Sequence, residues 1–414
     1  MLVIACALLG VLREIVRSTN LLATLMPPLP TAIQVDQRVA VIGGAGYIGS
    51  YLAPYLQSHG FRVTIFDKDP KFGEEDLHVA SIVKVHSTHL QPSDLSEFGA
   101  VIFLGGCTGR KTCSEMTVEQ VEEENIWAVI DILKKMSSGQ HFIAASTSAI
   151  LEGTFNANEK SPVNVNRLDM YSLSMFKREI RLQEHIDHDD KNSLPRVSLL
   201  RFGTVVGNSP AQRTDLMVPS FFFSAYTSGS LAVQGHDKMR SFLTLHDLSR
   251  AMLSLISKPI VSRYSIWNLA SFDATTLKIA STVASLTGAT IDSDKMKISP
   301  LLSHTEGFSL DCAAFSDMFN FTFDSSLLAT LAEFDRSVPS SITPKGPHEI
   351  GGADYPDIVP CPVCGSKGQQ IVIDLGAQPL ANDFMGDVNA ALARPRFPLK
   401  LVRCSVCNHY HLSH

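Results

Sequence analysis

The stretch 38-RVAVIGGAGYIGSYLAPYLQSHGFRVTIFDKD-69 decides the fold of this chain. An apolar run, typical of a buried parallel strand, leads into glycines at GxxGxxG spacing, then into a helical stretch and a second apolar strand. The glycines are Gly43, Gly46 and Gly49, and the second strand ends at Asp67. Turns use glycine for conformational reasons alone, so the informative feature is the position of these glycines between a strand and a helix. The pattern predicts a βαβ unit with a ligand-binding turn.

The glycine turn is suited to a pyrophosphate, because backbone N–H groups at the start of a helix can bind it and absent side chains let it approach. Asp67 can accept hydrogen bonds from ribose hydroxyls and would repel a 2′-phosphate, which favours NAD over NADP, while Lys68 softens this preference. A glycine-rich turn without a ligand is the alternative. The residues predicted to contact NAD are Gly43, Gly46, Tyr47, Ile48, Gly49, Asp67, Lys68, Leu104 and Gly105.

The alternation of strands and helices continues downstream of this unit. An amphipathic helix is predicted over residues 118–136. Further strands are predicted at 81–85, 100–106, 141–146 and 196–203. Strands alternating with helices imply an α/β fold of the Rossmann type, with a doubly wound parallel sheet and ligands at the carboxyl ends of its strands.

Composition limits the class of protein. The chain has 414 residues, 45% of them hydrophobic and 18% charged, with a formal net charge of −6. These values predict a globular protein of two or three units. Nothing in the sequence forms a Lys/Arg tract, so we expect no nucleic-acid partner.

The first 36 residues are predicted to be an extension. The uncharged run at residues 1–12 is too short for a membrane span, which needs about 20 residues. It also lacks the basic residues that precede the apolar part of a secretory signal. We therefore expect no stable membrane span and a cytoplasmic location, with an N-terminal targeting segment as the alternative.

Six segments resemble, in order and approximate spacing, the extended short-chain dehydrogenase/reductases, in particular the NAD-dependent epimerase/dehydratase family that acts on nucleotide sugars. The segments are VIGGAGYIGS, VIFLGG, STSAILEG, LRFGTVVGNSP, RSFLTLHDLSRAM and IWNLAS, with Asn125 after the second. The resemblance covers about residues 37–340. It implies an NAD part (37–200), a smaller substrate-binding part (201–340), a nucleotide-sugar substrate and a homodimer formed through a helix pair.

The resemblance also implies a reaction, the exchange of a hydride between a sugar carbon and the nicotinamide of NAD. In this family a Ser or Thr hydroxyl binds the reacting sugar oxygen and a tyrosine takes or gives its proton. Counting back from Gly153 places the hydroxyl at Ser148, with Thr147 as the fallback, and the tyrosine falls on Tyr171. Glu152 occupies the position where the family usually has another tyrosine.

Met175 departs from the family pattern, which has a lysine four residues after the tyrosine to hold the nicotinamide ribose and lower the tyrosine pKa. Lys177 is six residues from Tyr171, or about 600° around a helix against about 400° for four residues, so it points elsewhere. With a pKa near 10, only about one free tyrosine in a thousand is a phenolate at pH 7.

Three readings of this departure stay open. The chain can be an active isomerase, lyase or oxidoreductase of the family, an enzyme with strongly reduced activity, or a catalytically silent protein that binds NAD and nucleotide sugars. A tyrosine and a methionine four residues apart are also compatible with plain helix packing.

Two arginines are predicted to bind the substrate. The segment 206–242 resembles the sugar-nucleotide region of the family, in which arginines neutralise a diphosphate by bidentate contacts. Arg213 and Arg240 are the candidates. Solvated surface arginines are the alternative for both.

Two CxxC pairs near the C-terminus predict a structural zinc site. Cys361 and Cys364 form one pair, and Cys404 and Cys407 form the other. Two such turns can present four thiolates to one tetrahedral ion, and this use of cysteine indicates a reducing compartment. His409, His411 and His414 could each replace a cysteine. A Pro-rich linker at 341–358 is predicted to precede this small β-rich module, which spans 359–414.

The C-terminal module resembles the zinc-binding module that precedes the catalytic domain of sugar C-methyltransferases. The resemblance rests on CPVCGS, DLGAQPLANDFM and PLKLVRCSVC. It implies a methyltransferase domain or partner. No glycine motif for S-adenosylmethionine follows, so the readings are one part of a bifunctional epimerase/C-methyltransferase or a module retained for association.

Overall fold

The computed structural model describes residues 38–233, 238–258, 262–292, 307–337, 361–364, 366, 368–379, 396–407 and 409–412. The predicted extension (1–36), the predicted linker (341–358) and His414 lie outside these residues. Two compact units are present. The first comprises the described residues up to Phe221 and those within Ala232–Thr282 and Asp292–Val338, and the second comprises those within Phe222–Leu231, Val283–Ile291 and Pro339–His414.

The described strands are, in chain order, β1 (Arg38–Ile42), β2 (Arg62–Asp67), β3 (Ser81–Lys84), β4 (Ala100–Phe103), β5 (His141–Thr147), β6 (Arg196–Phe202), β7 (Thr204–Val206), β8 (Ser230–Leu231), β9 (Met239–Thr244), β10 (Tyr264–Leu269), β11 (Phe272–Thr275), β12 (Thr290–Ile291), β13 (Gln369–Pro379), β14 (Arg396–Cys404) and β15 (Tyr410–Leu412). Seven of them form one sheet in the order β10-β6-β5-β4-β1-β2-β3. Every pairing in this sheet is parallel. The predicted α/β fold with a parallel sheet is therefore confirmed.

The described α-helices are α1 (Gly49–Ser58), α2 (Glu74–Leu77), α3 (Pro92–Leu95), α4 (Arg110–Ser114), α5 (Val118–Glu122), α6 (Ala128–Lys134), α7 (Met170–Asp187), α8 (Met217–Ser228), α9 (Leu245–Ser257), α10 (Thr276–Thr287), α11 (Ala313–Phe319) and α12 (Leu327–Ser337). The helix predicted over 118–136 differs in one respect. A π-helical turn, Glu123–Trp127, separates α5 from α6. Such turns are frequent at functional sites, and this one contains Asn125.

Apolar side chains cover both faces of the parallel sheet. In β1, Val39 and Val41 pack on one side with α1 and α9, whereas Ala40 and Ile42 pack on the other with α6 and the end of α7. Successive side chains of a strand point to opposite faces. The nearly continuous apolar runs of these strands therefore reflect burial on both sides, as in a doubly wound fold.

Smaller sheets complete the two units. In the first unit, β9 lies between β11 and β7. In the second, β8 pairs with β12, and β13, β14 and β15 form an antiparallel sheet within the predicted β-rich module. None of the helices in the described ranges has the length and hydrophobicity needed to span a membrane.

Candidate functional site

The glycine turn after β1 makes contacts that only glycine can make. Gly43 has a φ of 76°, and a Cβ there would lie 2.7 Å from the backbone N of Gly105. A Cβ on Gly49 would lie 2.4 Å from the Cα of Gly44. These approaches bring the turn against the chain that follows β4 and place the start of α1 directly behind it. The result is a cradle that a side chain would fill.

Asp67 faces the glycine turn from the end of β2. Its Oδ2 accepts a hydrogen bond from the backbone N–H of Ala45 at 3.0 Å, and its Oδ1 accepts one from Asp69 at 3.0 Å. Lys68 lies on the exposed side, with its Nζ 3.4 Å from Glu124. The carboxylate is thus oriented next to the cradle by two backbone donors.

A cleft of about 560 Å³ opens over this turn. It is lined by all of the residues predicted to contact NAD, which are Gly43, Gly46, Tyr47, Ile48, Gly49, Asp67, Lys68, Leu104 and Gly105. Arg213 also lines it, as does the segment 210–212, which lies in the region predicted to bind the sugar nucleotide. The concave shape, the cradle and the carboxylate fit a dinucleotide.

Hydrogen bonds hold the segment after β7 against the start of α1. The hydroxyl of Tyr47 donates to the carbonyl of Gly207 at 2.8 Å, and the hydroxyl of Ser209 donates to the carbonyl of Tyr47 at 2.6 Å. Ser50 and Ser209 also share a hydrogen bond of 2.7 Å between their hydroxyls. These contacts explain why residues far apart in sequence line one cleft.

Tyr171 lies in the first turn of α7, which Asp169 caps by accepting a hydrogen bond from the N–H of Ser172 at 2.8 Å. The side chain of Thr147, at the end of β5, lies next to the Tyr171 phenol and lowers its pKa. Ser148 follows directly in a short 3₁₀ segment and is 2% exposed. The structure thus pairs Tyr171 with the fallback hydroxyl, and both candidate hydroxyls are next to each other at a strand end.

Neighbouring groups have opposing effects on the pKa of Tyr171. Burial raises its pKa, whereas the side chain of Thr147 and the cations of Arg178 and Arg213 lower it. The carboxylate of Asp169 adds a smaller upward contribution. Burial is the largest of these causes, so the pKa is raised above its ordinary value.

Met175 packs into an apolar cluster and offers no cation to Tyr171. It is 4% exposed and lies among Ile150, Leu151 and Leu310. The amine of Lys177 is 2.5 Å from the carboxylate of Glu122. The expectation that Lys177 does not replace the missing lysine agrees with this ion pair.

Arg178 is a buried cation that was not predicted from the sequence. Its Nε donates to the carbonyl of Asn125 at 2.5 Å, and its Nη1 donates to the carbonyl of Ala145 at 2.8 Å. The guanidinium carbon is 5.8 Å from the centre of the Phe103 ring. Burial lowers the pKa of Arg178 to about 10, although Tyr171 and Glu179 counteract this. A signal was available, because residue 178 lies on the same helical face as residue 171.

Asn125 sits beside Arg178 in the π-helical turn. Its Nδ2 donates to the hydroxyl of Ser174 at 2.9 Å, whereas its buried Oδ1 has no hydrogen-bond partner among the described residues. A Cβ on Gly106, which has a φ of 121°, would lie 2.5 Å from that Oδ1. Since Gly106 lines the cleft, this polar group lies close behind its wall.

The two predicted substrate arginines occupy different places. Arg213 lines the cleft, donates from Nη1 to the hydroxyl of Thr108 at 2.9 Å and binds Asp215 through Nε and Nη2 at 3.0 and 2.5 Å. Arg240 is on β9, outside the cleft lining, with its guanidinium carbon 5.9 Å from the Phe308 ring centre. Its buried Nε has no hydrogen-bond partner among the described residues. The structure does not bring the two arginines together in one cleft.

The four cysteines of the C-terminal pairs converge on one point. Their Sγ atoms all lie within 4.8 Å of one another. The Cys361–Cys407 and Cys364–Cys404 sulfur distances are both 3.5 Å. A tetrahedral zinc ion with Zn–S bonds of about 2.3 Å sets sulfurs about 3.8 Å apart, so the donor set fits zinc in both type and spacing.

Backbone turns form this cysteine site. The N–H of Cys361 donates to the carbonyl of Ser366 at 2.9 Å, and the N–H of Cys404 donates to the carbonyl of His409 at 2.8 Å. Backbone donors from Cys407 and Val406 lower the pKa of Cys404 to about 6, which favours its thiolate. His409 and His411 lie outside the cluster, with their rings stacked on each other at 5.9 Å.

One cysteine pair was not expected from the sequence. Cys107 and Cys113 form a disulfide in the segment between β4 and the end of α4. Both pack with Val121 and against Tyr171. The pair therefore belongs to the apolar cluster that packs against the tyrosine.

Comparisons with known proteins agree with both parts of this description. Residues 39–270, more than half of the 414-residue chain, match the "NAD dependent epimerase/dehydratase family". Residues 361–414 match a family described as "Putative zinc binding domain".

Solved structures share the fold of the larger part. MoeE5 in complex with UDP-glucuronic acid and NAD is 20% identical, with a TM-score of 0.61 over 72% of this chain and 97% of that chain. TunA, an NAD-dependent NDP-hexosamine 5,6-dehydratase involved in tunicamycin biosynthesis, is 19% identical, with a TM-score of 0.61 over 72% and 98%. UDP-glucose 4-epimerase from Thermotoga maritima, with UDP-glucose, is 18% identical, with a TM-score of 0.60 over 73% and 100%.

Proposed function

This chain belongs to the NAD dependent epimerase/dehydratase family, and we propose that it binds NAD in the cleft over the glycine turn and exchanges a hydride with a nucleotide sugar. The observation that carries the proposal is the position of Tyr171 and Thr147 at the carboxyl end of β5. Ligands of doubly wound sheets bind at this edge. The cleft opens at the same edge, after β1, β2 and β4.

The cofactor assignment is supported by the glycine cradle and by Asp67. When bound, NAD supplies the hydride acceptor. The backbone N–H groups at the start of α1 would hold its pyrophosphate, and Asp67 would accept hydrogen bonds from the adenosine ribose. A carboxylate at this position disfavours a 2′-phosphate, so NAD is preferred over NADP.

Tyr171 would take or return the proton of the sugar hydroxyl through its phenolic oxygen. Thr147, which lies next to the Tyr171 phenol, and Ser148 would bind the reacting sugar oxygen and hold it near the phenol. General acid/base catalysis of this kind contributes about 10² to 10⁴ of a rate enhancement. The raised pKa of Tyr171 favours its protonated form, which suits the proton-donating half of the exchange.

The substrate class is supported by the structures that share the fold, since their titles name UDP-glucuronic acid, UDP-glucose and an NDP-hexosamine. Arg213 would meet the sugar-nucleotide diphosphate at the cleft. Arg240 lies on β9, outside the lining of this cleft, and its contact with the substrate stays a prediction. The division into an NAD part (37–200) and a substrate part (201–340) belongs to this proposal.

The C-terminal cysteines would hold one structural zinc ion. All four ligand positions are filled by sulfur, so the ion would be closed to substrate and would stabilise the small β13-β14-β15 sheet. We assign the module at 359–414 to association, with a methyltransferase domain or protein as its partner.

A second candidate function is binding without turnover, and Met175 favours it. In the apolar cluster with Ile150 and Leu310, Met175 cannot lower the pKa of Tyr171. A protein that binds NAD and a sugar nucleotide but converts neither would not need a lysine at position 175. Turnover that first appears in Met175→Lys would identify the wild-type protein as such a silent relative.

The experiment that tests the proposal uses the purified full chain. Bound cofactor is released by denaturation and identified by mass spectrometry, and a panel of UDP-, dTDP- and GDP-sugars is assayed for binding and for products. NAD with a converted sugar supports the enzyme, and NAD with a bound but unchanged sugar supports the silent relative. A protein that does not bind NAD, or that binds none of the sugar nucleotides in the panel, would contradict both the enzyme and the silent relative.

A further inference from the structure

Arg178 is a buried cation without a carboxylate partner. Its side chain is 1% exposed, and its hydrogen bonds go to two backbone carbonyls, of Asn125 and Ala145. Within the described residues it forms no ion pair. An unpaired buried charge is costly, because the interior solvates it poorly. The position therefore calls for a negative charge that the resting protein does not present.

The neighbouring Glu179 does not fill this role. Its carboxylate binds the guanidinium of Arg201 at 2.7 Å and accepts the hydroxyl of Ser146 at 2.5 Å. Glu179 and Arg201 are 3% and 4% exposed. This carboxylate is already paired with the cation of Arg201, so it compensates the charge of Arg178 only in part.

Tyr171 is the group that the Arg178 cation faces. The two residues are seven positions apart on α7, which is about 700° or close to two full turns, so they share a helical face. The cation of Arg178 lowers the pKa of Tyr171, so the guanidinium and the phenol are within electrostatic range of each other. Both also contact β5, Arg178 at Ala145 and Tyr171 at Thr147. Positions two residues apart on a strand are separated by about 7 Å.

We infer that Arg178 stabilises the phenolate of Tyr171 and so performs the electrostatic task for which position 175 offers only a methionine. The inference depends on the proposed function only for the identity of Tyr171 as the proton-transfer group. Arg178 acts through Tyr171 and is a positioning residue. The charge of the phenolate would in turn supply the anion that the buried guanidinium lacks.

Other groups around Tyr171 affect the same equilibrium. Arg213 adds a second cation, and Asp169 opposes it with a carboxylate. Asp169 is itself bound by Arg110, with the two side-chain atoms 2.6 Å apart. The side chain of Thr147 lowers the same pKa. Arg213, Asp169 and Thr147 are present in the wild type and in the Arg178 variants alike, so the difference between their titrations reports on residue 178.

The test is a titration of Tyr171 in the full-length chain with no sugar nucleotide present. The tyrosinate absorbance of wild type minus that of Tyr171→Phe assigns the signal to this phenol. Arg178→Gln removes the charge and keeps one N–H donor, at about the position of Nε, for the carbonyl of Asn125, whereas the hydrogen bond to Ala145 is lost. We expect the Tyr171 pKa to rise by about one pH unit in this variant. Arg181→Gln, at an exposed position of the same helix, should leave it unchanged.

Arg178→Lys keeps the positive charge but changes the shape of the side chain, so it distinguishes the effect of charge from that of geometry. It also provides a test if Arg178→Gln does not fold. Because the lysine keeps the cation, the Tyr171 pKa should stay within about half a pH unit of wild type. A rise of a full unit in Arg178→Lys, or no rise in folded Arg178→Gln, overturns the inference. The titration needs no turnover, so a shifted Tyr171 in a protein that converts no sugar would refute only the proposed function.

Discussion

The carboxylate of Asp67 and the backbone N–H of Ala45 are joined by a hydrogen bond of 3.0 Å. This contact connects the end of β2 with the glycine turn after β1. One side chain therefore both orders the turn and presents its carboxylate to the cleft. The relationship leads to a prediction about cofactor choice.

Replacement of Asp67 by alanine should weaken NAD binding and reduce the preference over NADP. Hydrogen bonds to a charged group contribute about 1.5–3 kcal/mol each, so we expect at least a tenfold loss of NAD affinity. Isothermal titration calorimetry with both cofactors measures the effect. Glu75→Ala, an exposed change outside the cleft lining, is the matched control. Equal affinity of wild type for NAD and NADP would show that Asp67 does not select the cofactor.

Substitution of Cys404 by serine should remove the metal. The wild-type chain is expected to carry one zinc ion, because four sulfurs within 4.8 Å of one another form a complete tetrahedral set. Metal analysis of the purified protein measures the content, and limited proteolysis reports on the fold of the C-terminal part. Cys312→Ser, a free cysteine outside the cluster, should keep the zinc. A zinc-free protein whose C-terminal part resists proteolysis would contradict this account.

The buried pair formed by Glu179 and Arg201 should dominate the stability of α7. Removing one member leaves a buried charge unmatched, so Glu179→Ala is expected to lower the free energy of unfolding by about 3–5 kcal/mol. Glu184→Ala, on the same helix, breaks an exposed pair with Arg181 and should cost less than about 1 kcal/mol. Denaturant unfolding of both variants compares them. Equal decreases in the free energy of unfolding of the two variants would show that the buried pair stabilises the protein no more than the exposed pair.

His141 should make the protein less stable in acid. Burial, with a smaller contribution from the Arg196 guanidinium, lowers its pKa from 6.5 to about 4. The unfolded chain then binds a proton that the folded chain refuses, so stability falls as the pH drops from 6.5 toward 4. The loss is about 3 kcal/mol. His141→Gln should flatten this part of the pH–stability curve, and His188→Gln, at an exposed position, should not. Identical curves for wild type and His141→Gln would disprove the assignment.

Much of the fold was accessible from the sequence because local patterns and global architecture agree. Gly43 and Gly49 occupy positions where any side chain would collide with the backbone. The strands they connect are apolar enough to be buried on both faces. The spacing of the CxxC pairs likewise predicts that each pair presents two sulfurs to one metal ion.

Other features depend on tertiary contacts that no local pattern records. The π-helical turn at Glu123–Trp127 has the same apolar periodicity as an α-helix. Arg178 shares a helical face with Tyr171, but the sequence does not show that its side chain is buried, since a charged side chain is rarely buried without a partner. The separation of Arg213 from Arg240 depends on how β9 pairs with β11. In each case the feature depends on contacts with a second helix or strand that is distant in the sequence.

Loss of hydride transfer on substituting Tyr171 is the most direct test of the account. Protein loaded with NAD is mixed with a sugar nucleotide that it binds, and NADH absorbance and product are followed in a single turnover. We predict NADH or product in the wild-type protein and a rate lower by about 10² to 10⁴ in Tyr171→Phe. No conversion in the wild type, or equal rates in both proteins, would contradict the claim that this chain exchanges a hydride through Tyr171.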